Sequence, residues 1–322
     1  MKTDVIVGEH LFRNHVLVEI TKGCNLACLH CFTSAGKRLG NELTTIVWND
    51  LLSDFIDHGF KNFTISGGEP LVEINKTISV ISTLKQKYPK VKFYLFSNGL
   101  LFTDVILDTL KPWISGVGIS IDGNRETHDY LRNNIGSYDK AITALRLLKT
   151  KRIPTFIQCM AISKTIPHLS EVLALASKYQ IKAIRISHVD YFGRGKSNKS
   201  HLGLNQNDLE ALYKMVKILK TKFPSIFITT NLVKKTDIVK FPEEFMIPNL
   251  QILSTGHVIP WEGLPLEYSL WKYPEESIDG VRLPAIVSRI GKFRELLNKA
   301  ILKSISTPNS VVPFDNIISE MI

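Results

Sequence analysis

Short apolar runs alternate with longer amphipathic stretches along the first two thirds of this chain. Six such runs predict strands, at residues 17–21, 62–66, 92–97, 117–121, 155–161 and 183–188. The stretches between them predict helices near residues 45–58, 73–88, 103–111, 137–150 and 168–179. This alternation indicates successive βα units and a parallel sheet, and six units in series predict a partial (β/α)6 barrel of the α/β class. In such barrels the active site lies at the carboxyl ends of the strands.

The pattern changes in the remaining sequence. Residues 191–198 predict a loop, and a helix is expected to begin near Asn207, with Glu210 completing an Asn-x-x-Glu cap. Two further strands and a helix are predicted at residues 226–230, 250–253 and 284–304. We therefore predict a core domain over residues 1–222 and a small α+β C-terminal extension over residues 223–322 that caps the barrel.

The composition is ordinary for a soluble protein, with 44% apolar and 22% charged residues. No apolar run approaches the length of a membrane span, and the first residues lack a signal-peptide pattern. We therefore expect a cytoplasmic location and no membrane partner. Only four cysteines are present, three of them in one short loop, and a disulfide framework is not expected.

The formal net charge of +10 is unevenly placed, since residues 191–240 hold ten Lys or Arg against three Asp or Glu. One interpretation is a solvated basic helix face that bears Lys214, Lys217 and Lys220. The other is a docking surface for an acidic peptide or a phosphorylated ligand. Aromatic residues are not interleaved with this charge, so nucleic acid is not expected as a partner.

Three cysteines lie within eight residues, in the segment Cys24-Asn-Leu-Ala-Cys28-Leu-His-Cys31. A C-x3-C-x2-C loop can hold three corners of a [4Fe–4S] cluster and leave the fourth iron without a protein ligand. A structural zinc site would need a fourth ligand, for which His30 or Cys159 would be the candidates. Zinc knuckles usually pair two short motifs, and the sequence contains no second one. The cluster is therefore the favoured interpretation.

Segments containing glycine follow the next three strands. Ser66-Gly-Gly-Glu-Pro70 ends the second strand, Ser97-Asn-Gly99 the third, and Gly118-Ile-Ser-Ile-Asp-Gly123 the fourth. Glycines without Cβ atoms allow the backbone to approach a ligand closely, and Glu69 supplies a carboxylate at the same edge. A ligand site is therefore predicted where these segments meet the cysteine loop.

The succession of these motifs resembles the radical S-adenosylmethionine (SAM) superfamily, and within it the sulfatase-maturing and SPASM-type peptide-modifying enzymes. The resemblance covers residues 16–190. It implies one [4Fe–4S] cluster on Cys24, Cys28 and Cys31, with SAM bound to the open iron. It further implies reductive cleavage of SAM to a 5′-deoxyadenosyl radical that abstracts a hydrogen atom from a substrate. A flavodoxin- or ferredoxin-type protein would be the electron donor.

The resemblance also implies that seven residues bind SAM, namely His30, Gly68, Glu69, Ser97, Ser120, Arg132 and Gln158. In this carry-over His30 covers the adenine, Glu69 holds the methionine ammonium and Gln158 contacts the adenosine end. Ser120 would contact the ribose or carboxylate region, and Arg132 would pair with the carboxylate. Simpler interpretations are that His30 packs the loop and that Arg132 is a surface ion-pair partner.

The resemblance weakens in the C-terminal part. SPASM enzymes carry further cluster-binding cysteines there, but no cysteine follows Cys159 in this sequence. The segment from Leu250 to Trp261 keeps the outline of the corresponding hairpin, with Trp261 where a cysteine would stand. We expect a degenerate SPASM- or twitch-like remnant without an auxiliary cluster, in which Trp261, His257 or Trp271 faces substrate or belongs to the core. This absence favours a redox-neutral reaction and leaves an oxidative cross-link open.

Cys159 lies on the fifth strand, next to Gln158. Free cysteines in strands are usually small hydrophobic residues without a reaction to perform. The catalytic interpretation is a thiol that donates a hydrogen atom to a substrate radical. Because neighbouring strand residues point to opposite faces, Cys159 should face the helices if Gln158 faces SAM.

The expected substrate is a ribosomally synthesised peptide in natural-product biosynthesis. A sugar or nucleoside, altered by decarboxylation, dehydration or epimerisation, is the alternative small-molecule substrate. About fifteen residues precede the first strand, and no additional N-terminal peptide-recognition domain is expected. A non-catalytic iron–sulfur or zinc-binding barrel is the alternative of another class. Iron content and the production of 5′-deoxyadenosine separate these possibilities.

Overall fold

The structure, a computed structural model, describes residues 15–57, 59–189, 192–230, 232–234, 250–259, 271–272 and 311–313. The strands are β1 His15–Glu19, β2 Asn62–Ser66, β3 Lys92–Ser97, β4 Gly116–Ser120, β5 Thr155–Ala161, β6 Ala183–His188, β7 Phe227–Thr230, β8 Leu232–Lys234, β9 Leu250–Ile252, β10 His257–Ile259, β11 Trp271–Lys272 and β12 Val311–Pro313. The helices are α1 Thr45–Asp57, α2 Ile74–Lys87, α3 Asp104–Leu110, α4 Arg125–Arg132, α5 Ser137–Thr150, α6 Leu169–Lys178, α7 Gly193–Ser197, α8 Lys199–Leu202 and α9 Gln206–Lys222. Short 3-10 turns cover Pro70–Glu73 and Ile166–His168.

Ten strands form one sheet in the order β11-β10-β9-β1-β2-β3-β4-β5-β6-β7. Strands β1 to β7 follow one another in chain order and are all parallel. This confirms the predicted α/β fold of a partial barrel. The strand predicted at 226–230 is β7, which extends the parallel series beyond the six strands expected in the barrel. Because every parallel strand ends at the same edge, the segments after β1 to β6 meet there.

The two faces of the parallel strands differ in chemistry. The residues that face the helices are buried and apolar, such as Val18 on β1, Ile65 on β2 and Leu95 on β3. The alternate residues face the barrel interior and are chemically mixed, including polar side chains such as Gln158 and aromatic ones such as Phe96. Helix α1 packs on the outer face through an apolar stripe with helical spacing, made of Trp48, Leu51, Leu52 and Phe55. Each fully buried side chain of this size contributes about 1.5–3 kcal/mol to folding.

The C-terminal strands extend the sheet beyond β1. Strand β9 is parallel to β1, with Val16 opposite Leu250, and β10 returns antiparallel to β9. The hairpin outline predicted from residue 250 onward is therefore present. The division into residues 1–222 and 223–322 stays a prediction. The predicted helix 284–304, Trp261 and the side chain of Trp271 lie outside the described residues.

Two local predictions are wrong. The expected loop at 191–198 contains α7, which is followed directly by α8. Helix α9 begins one residue before Asn207, because Asn205 and Asp208 form the capping box in place of Asn207 and Glu210. Both pairs have the same spacing, so the sequence pattern fits either register.

Helix α4 was not predicted. The Asn124 side chain caps its first turn by accepting from the Thr127 amide, and Asn133 ends it in the left-handed region at φ 51°. Its buried face includes His128 and Arg132, so it has no apolar stripe that sequence could reveal. None of the helices in the described residues combines the length and the apolar character that a membrane span requires.

Candidate active site

A cavity of about 170 Å³ opens at the carboxyl ends of the parallel strands. Nine of the eleven predicted site residues line it: Cys24, Cys28, His30, Cys31, Gly68, Ser97, Ser120, Arg132 and Gln158. The other two, Glu69 and Cys159, do not. The sheet edge therefore brings together residues that are up to about 130 positions apart in the chain.

The cysteine loop is closed by its own backbone. The Cys24 amide donates to the Gly36 carbonyl at 2.8 Å, and the Gly36 amide donates to Lys22 at 3.0 Å. Amides also point at two of the sulfurs, from Leu26 to Cys24 Sγ at 3.4 Å and from Ala35 to Cys31 Sγ at 3.3 Å. Such donors stabilise sulfur that carries negative charge, as it does when it binds a metal.

Two of the three thiols are held in their protonated form by the protein around them. Burial raises the pKa of Cys24 to about 12 and also raises the pKa of Cys28. Binding iron must therefore displace these protons, as thiolate ligation always does. Among the described residues, no three His, Cys, Asp or Glu side chains converge as ligands of a single metal ion. Three thiols on one loop would suit a cubane cluster, in which each would bind a different iron.

Helix α7 holds the cysteine loop from the other side of the sheet edge. Arg194 Nε donates to the Cys28 carbonyl at 2.8 Å, and Nη1 donates to the Ala35 carbonyl at 2.7 Å. The Arg194 amide donates to the Cys31 carbonyl at 2.9 Å, and Asn198 Nδ2 donates to Leu29 at 3.0 Å. The remaining guanidinium nitrogen, Nη2, is buried and has no hydrogen-bond partner in the described structure.

Sequence reasoning missed Arg194. Its contact with Cys28 spans 166 positions, and Gly-Arg-Gly was interpreted only as part of a loop. The one available signal was its position, because the segment follows β6 at the edge where every other motif ends. Gly193 explains the close packing, since a Cβ atom there would lie 2.4 Å from the Phe32 carbonyl oxygen.

The glycines after β2 serve the packing of two loops. A Cβ at Gly68 would lie 2.1 Å from the Gly23 carbonyl oxygen, and one at Gly67 would lie 2.3 Å from the Thr21 oxygen. The Gly68 amide donates to Thr21, at 2.8 Å. The close approach that was predicted toward a ligand is therefore also an approach to the start of the cysteine loop, and both glycines line the cavity as well.

The carboxylate of Glu69 is fully buried beside the cavity without lining it. It accepts hydrogen bonds from the Leu71 amide, the Ser97 hydroxyl and the Asn98 amide, at 2.8 to 3.2 Å. Burial raises its pKa to about 7, although these three donors oppose the shift. The expected contact with a methionine ammonium stays a prediction. Glu69 joins the ends of β2 and β3, and the Ser97 hydroxyl is already engaged in that link.

Arg132 belongs to a buried ion pair. Its Nε and Nη2 atoms lie 2.7 and 2.6 Å from Asp122 Oδ2, and Asp122 Oδ1 accepts from the Met160 amide at 2.8 Å. Arg132 is only 7% exposed, so the interpretation as a surface ion-pair partner is wrong. Burial would raise the pKa of Asp122, but the charge of Arg132, the nearby histidines and the hydrogen bond from the Met160 amide together hold that pKa below its ordinary value.

Two buried histidines beside this pair are neutral. Burial lowers the pKa of His30 to about 3 and the pKa of His128 to about 4. The Nδ1 atom of His30 has no hydrogen-bond partner among the described residues, although the side chain lies in the cavity wall. A buried polar atom without a partner at such a wall fits a bound ligand, which supports a role for His30 beyond packing the loop.

Cys159 lies in the hydrophobic core between the sheet and the helices and is fully buried. Gln158, its neighbour, lines the cavity, as strand alternation predicts. The structure does not bring Cys159 to the cavity, so the hydrogen-donor role gains no geometric support.

The lysines of α9 are exposed, in agreement with a solvated basic face.

Residues 18–176 match the profile of the Radical SAM superfamily. This segment is a radical SAM domain. Among curated proteins, the sporulation killing factor maturation protein SkfB of Bacillus subtilis (strain 168) is 29% identical over 158 residues, covering 48% of this chain and 38% of SkfB. Pre-heme d1 synthase of Dinoroseobacter shibae (strain DSM 16493 / NCIMB 14021 / DFL 12) is 30% identical over 186 residues, covering 57% of this chain and 45% of the synthase. The matched segment thus spans less than half the length of these relatives.

The fold extends beyond the matched segment. Streptococcus suis SuiB, solved in complex with its precursor peptide SuiA, superposes with a TM-score of 0.70 at 15% sequence identity. The superposition covers 90% of this chain and 69% of SuiB. At this level of identity the likeness concerns the fold alone.

Proposed function

We propose that this radical SAM chain is an enzyme that abstracts a hydrogen atom from a ribosomally synthesised peptide. The observation that carries the proposal is the convergence of three cysteines and six predicted SAM-binding residues on one cavity. When bound, a [4Fe–4S] cluster with SAM would supply a 5′-deoxyadenosyl radical by one-electron cleavage of the sulfonium C–S bond. The chain itself contributes binding, orientation and protection from water.

In this proposal the residues that line the cavity have two roles, binding the cluster and binding SAM. Cys24, Cys28 and Cys31 hold the cluster, and the amides aimed at two of the sulfurs stabilise their charge. Neutral His30 covers the flat adenine and, being uncharged, adds no positive charge to that of the SAM sulfonium. Gln158 and Ser120 hold the nucleoside from the barrel interior. Fixed side chains of this kind lower the entropic cost of bringing one C–H bond next to a reactive carbon.

A peptide substrate is supported by the names of the relatives. SkfB is a sporulation killing factor maturation protein, and SuiB, which shares this fold, was solved bound to the precursor peptide SuiA. A second candidate is a small-molecule substrate, which the relative named pre-heme d1 synthase supports at similar identity. In both cases a flavodoxin- or ferredoxin-type protein is the proposed electron donor.

The test is SAM cleavage by the reconstituted full chain under strict exclusion of oxygen. We expect the wild type to form 5′-deoxyadenosine after reduction and Cys24→Ala to form none. Cys159→Ala, which alters a cysteine outside the cavity, is the matched control and should keep the wild-type rate. Iron incorporation without any 5′-deoxyadenosine would contradict the proposal in favour of a non-catalytic iron–sulfur barrel. Stoichiometric zinc in place of iron would contradict it as well.

A further inference from the structure

Four neighbouring strands place hydrogen-bonding side chains at one level of the barrel interior. In the sheet register Ser120 of β4 lies opposite Gln158 of β5, which lies opposite Arg185 of β6, which lies opposite Thr229 of β7. Parallel strands are about 4.8 Å apart, so the four side chains form one continuous row. We call these four residues the polar row.

The residues two positions earlier form a second row of a different kind. Phe96, Gly118, Phe156, Ala183 and Phe227 lie opposite one another in the same register. Large and small side chains alternate, and the rings of Phe96 and Phe156 meet edge to face over Gly118, with centroids 5.1 Å apart. We call these five residues the aromatic row.

A second cavity, of about 180 Å³, lies inside the barrel next to the aromatic row. It shares Phe96, Gln158 and Arg185 with the cavity at the cysteine loop, which we call the outer cavity, so the two spaces meet at the polar row. Apart from Arg185, Gln158, His15 and two threonine side chains, the described lining of this inner cavity is aromatic or aliphatic. An apolar group can therefore occupy the inner cavity while a polar neighbour contacts the row.

Arg185 is the charged member of the polar row, and among the described residues no carboxylate pairs with it. Its Nε donates to the Ser187 hydroxyl at 3.1 Å, and it forms no ion pair in the part of the chain that the structure describes. Neither cavity has an Asp or Glu among its described lining residues. The other two arginines at the outer cavity are engaged, Arg132 by Asp122 and Arg194 by carbonyls of the cysteine loop. A half-buried guanidinium without a counter-ion has lost part of its hydration, and a ligand carboxylate would compensate for this by accepting charge-assisted hydrogen bonds from its Nη atoms.

We propose that Arg185 binds a carboxylate of the substrate, and that the apolar or aromatic group next to this carboxylate enters the inner cavity beside the aromatic row. The inference rests on the proposed function, because it takes the outer cavity as the place of reaction. It names the substrate class more closely as an acid with an apolar group near its carboxylate. In a peptide this can be the C-terminus or an acidic side chain beside an apolar residue.

The probes are 3-phenylpropionate and its uncharged analogue 3-phenylpropionamide. Binding is measured by isothermal titration calorimetry to the full chain with its cluster reconstituted and SAM saturating. We expect the carboxylate to bind about tenfold or more tightly than the amide, as charged hydrogen bonds of this kind provide. Arg185→Gln should abolish that preference and Arg185→Lys should keep part of it. Lys217→Gln, which removes an exposed charge from α9, should leave the preference unchanged.

Equal affinity for the two probes in the wild type would overturn the inference. This comparison needs no variant, so it stays decisive even if Arg185→Gln does not fold. Loss of SAM affinity in Arg185→Gln would also overturn it, because the arginine would then hold the cofactor. If inorganic phosphate competes as well as 3-phenylpropionate, the part of the inference that places an apolar group in the inner cavity is refuted. N-acetylphenylalanine and acetyl-Phe-Glu-amide then distinguish a C-terminal from a side-chain carboxylate. Absence of SAM cleavage in a wild type that keeps the carboxylate preference would defeat the proposed function alone.

Discussion

Replacing Arg194 with alanine should loosen the cysteine loop while leaving the barrel intact. The change removes two charged donors, which hold the carbonyls of Cys28 and Ala35 at 2.8 and 2.7 Å. The backbone contact from residue 194 to Cys31 and the close packing at Gly193 are retained. The variant therefore isolates the contribution of the side chain from that of helix α7.

The expected magnitude follows from those two bonds. A hydrogen bond from a charged donor contributes about 1.5–3 kcal/mol, so two of them contribute about 3 kcal/mol at the least. If opening of the loop breaks both bonds, its free energy falls by that amount, and the population of the open loop rises about 150-fold. Arg194→Lys keeps the charge but has a single ammonium for two carbonyls, so its effect should be intermediate.

Hydrogen exchange of the cluster-free chain measures this opening directly. The amides to follow are Cys24, Leu29 and Gly36, which donate to Gly36, Leu131 and Lys22 and report the closed loop. They should exchange about two orders of magnitude faster in Arg194→Ala, whereas amides of β3 should keep their wild-type rates. Arg146→Ala, an exposed arginine on α5, is the control and should change neither set. Unchanged exchange of the loop in a folded Arg194→Ala protein would refute the reasoning.

Three further variants test the barrel wall. Glu69 has a pKa of about 7 when folded and 4.5 when unfolded, so the folded state binds more protons between these values and loses stability as pH rises through them. Glu69→Gln should remove up to about 3 kcal/mol of this loss, and denaturant titrations of both cluster-free proteins at pH 5 and 8 should diverge at the higher pH. In Gly118→Ala the new Cβ would lie 2.4 Å from Phe156 Cε2, so the melting temperature should fall by an amount equivalent to about 1–3 kcal/mol. A second change, Phe156→Leu, should restore the melting temperature. If it does not, the clash lies elsewhere. Asp122→Asn leaves Arg132 buried without a counter-charge, so the free energy of unfolding, measured by denaturant titration, should fall by about 3–5 kcal/mol. A decrease below about 1 kcal/mol would mean that the pair is solvated.

The fold could be predicted because the information for it lies in short segments. Strands expected at 62–66, 92–97, 155–161 and 183–188 agree with the structure, since β-branched and aromatic residues flanked by turns mark both of their ends. Helix α4 shows where this fails. Its sequence is mostly polar, and its burial depends on partners such as Asp122 that lie outside the helix.

The candidate site was predictable to the extent that it is local. The three thiols occur within eight residues, and the structure brings them to one cavity with Gly68 of the next loop. The direction of the Glu69 carboxylate was not accessible, because its partners Ser97 and Asn98 lie on another strand end. The clamp by Arg194 was not accessible for the same reason, since only the closed sheet brings α7 to the cysteine loop.

The division between the two faces of the strands accounts for both outcomes. Residues facing the helices must be apolar to form the core, and this requirement repeats every second residue, so it is visible in sequence. Residues facing the interior carry no such common requirement, and the alternation leaves them free to differ from strand to strand. Arg185 lies between Ile184 and Ile186, which both belong to the core. The Arg185 side chain is therefore compatible with the fold but not required by the core. The polar side chain of Gln158, beside the core residue Cys159, is in the same position. Interior positions of this kind can change with the substrate while the barrel stays the same, so specificity is expected to reside there rather than at the cysteine loop.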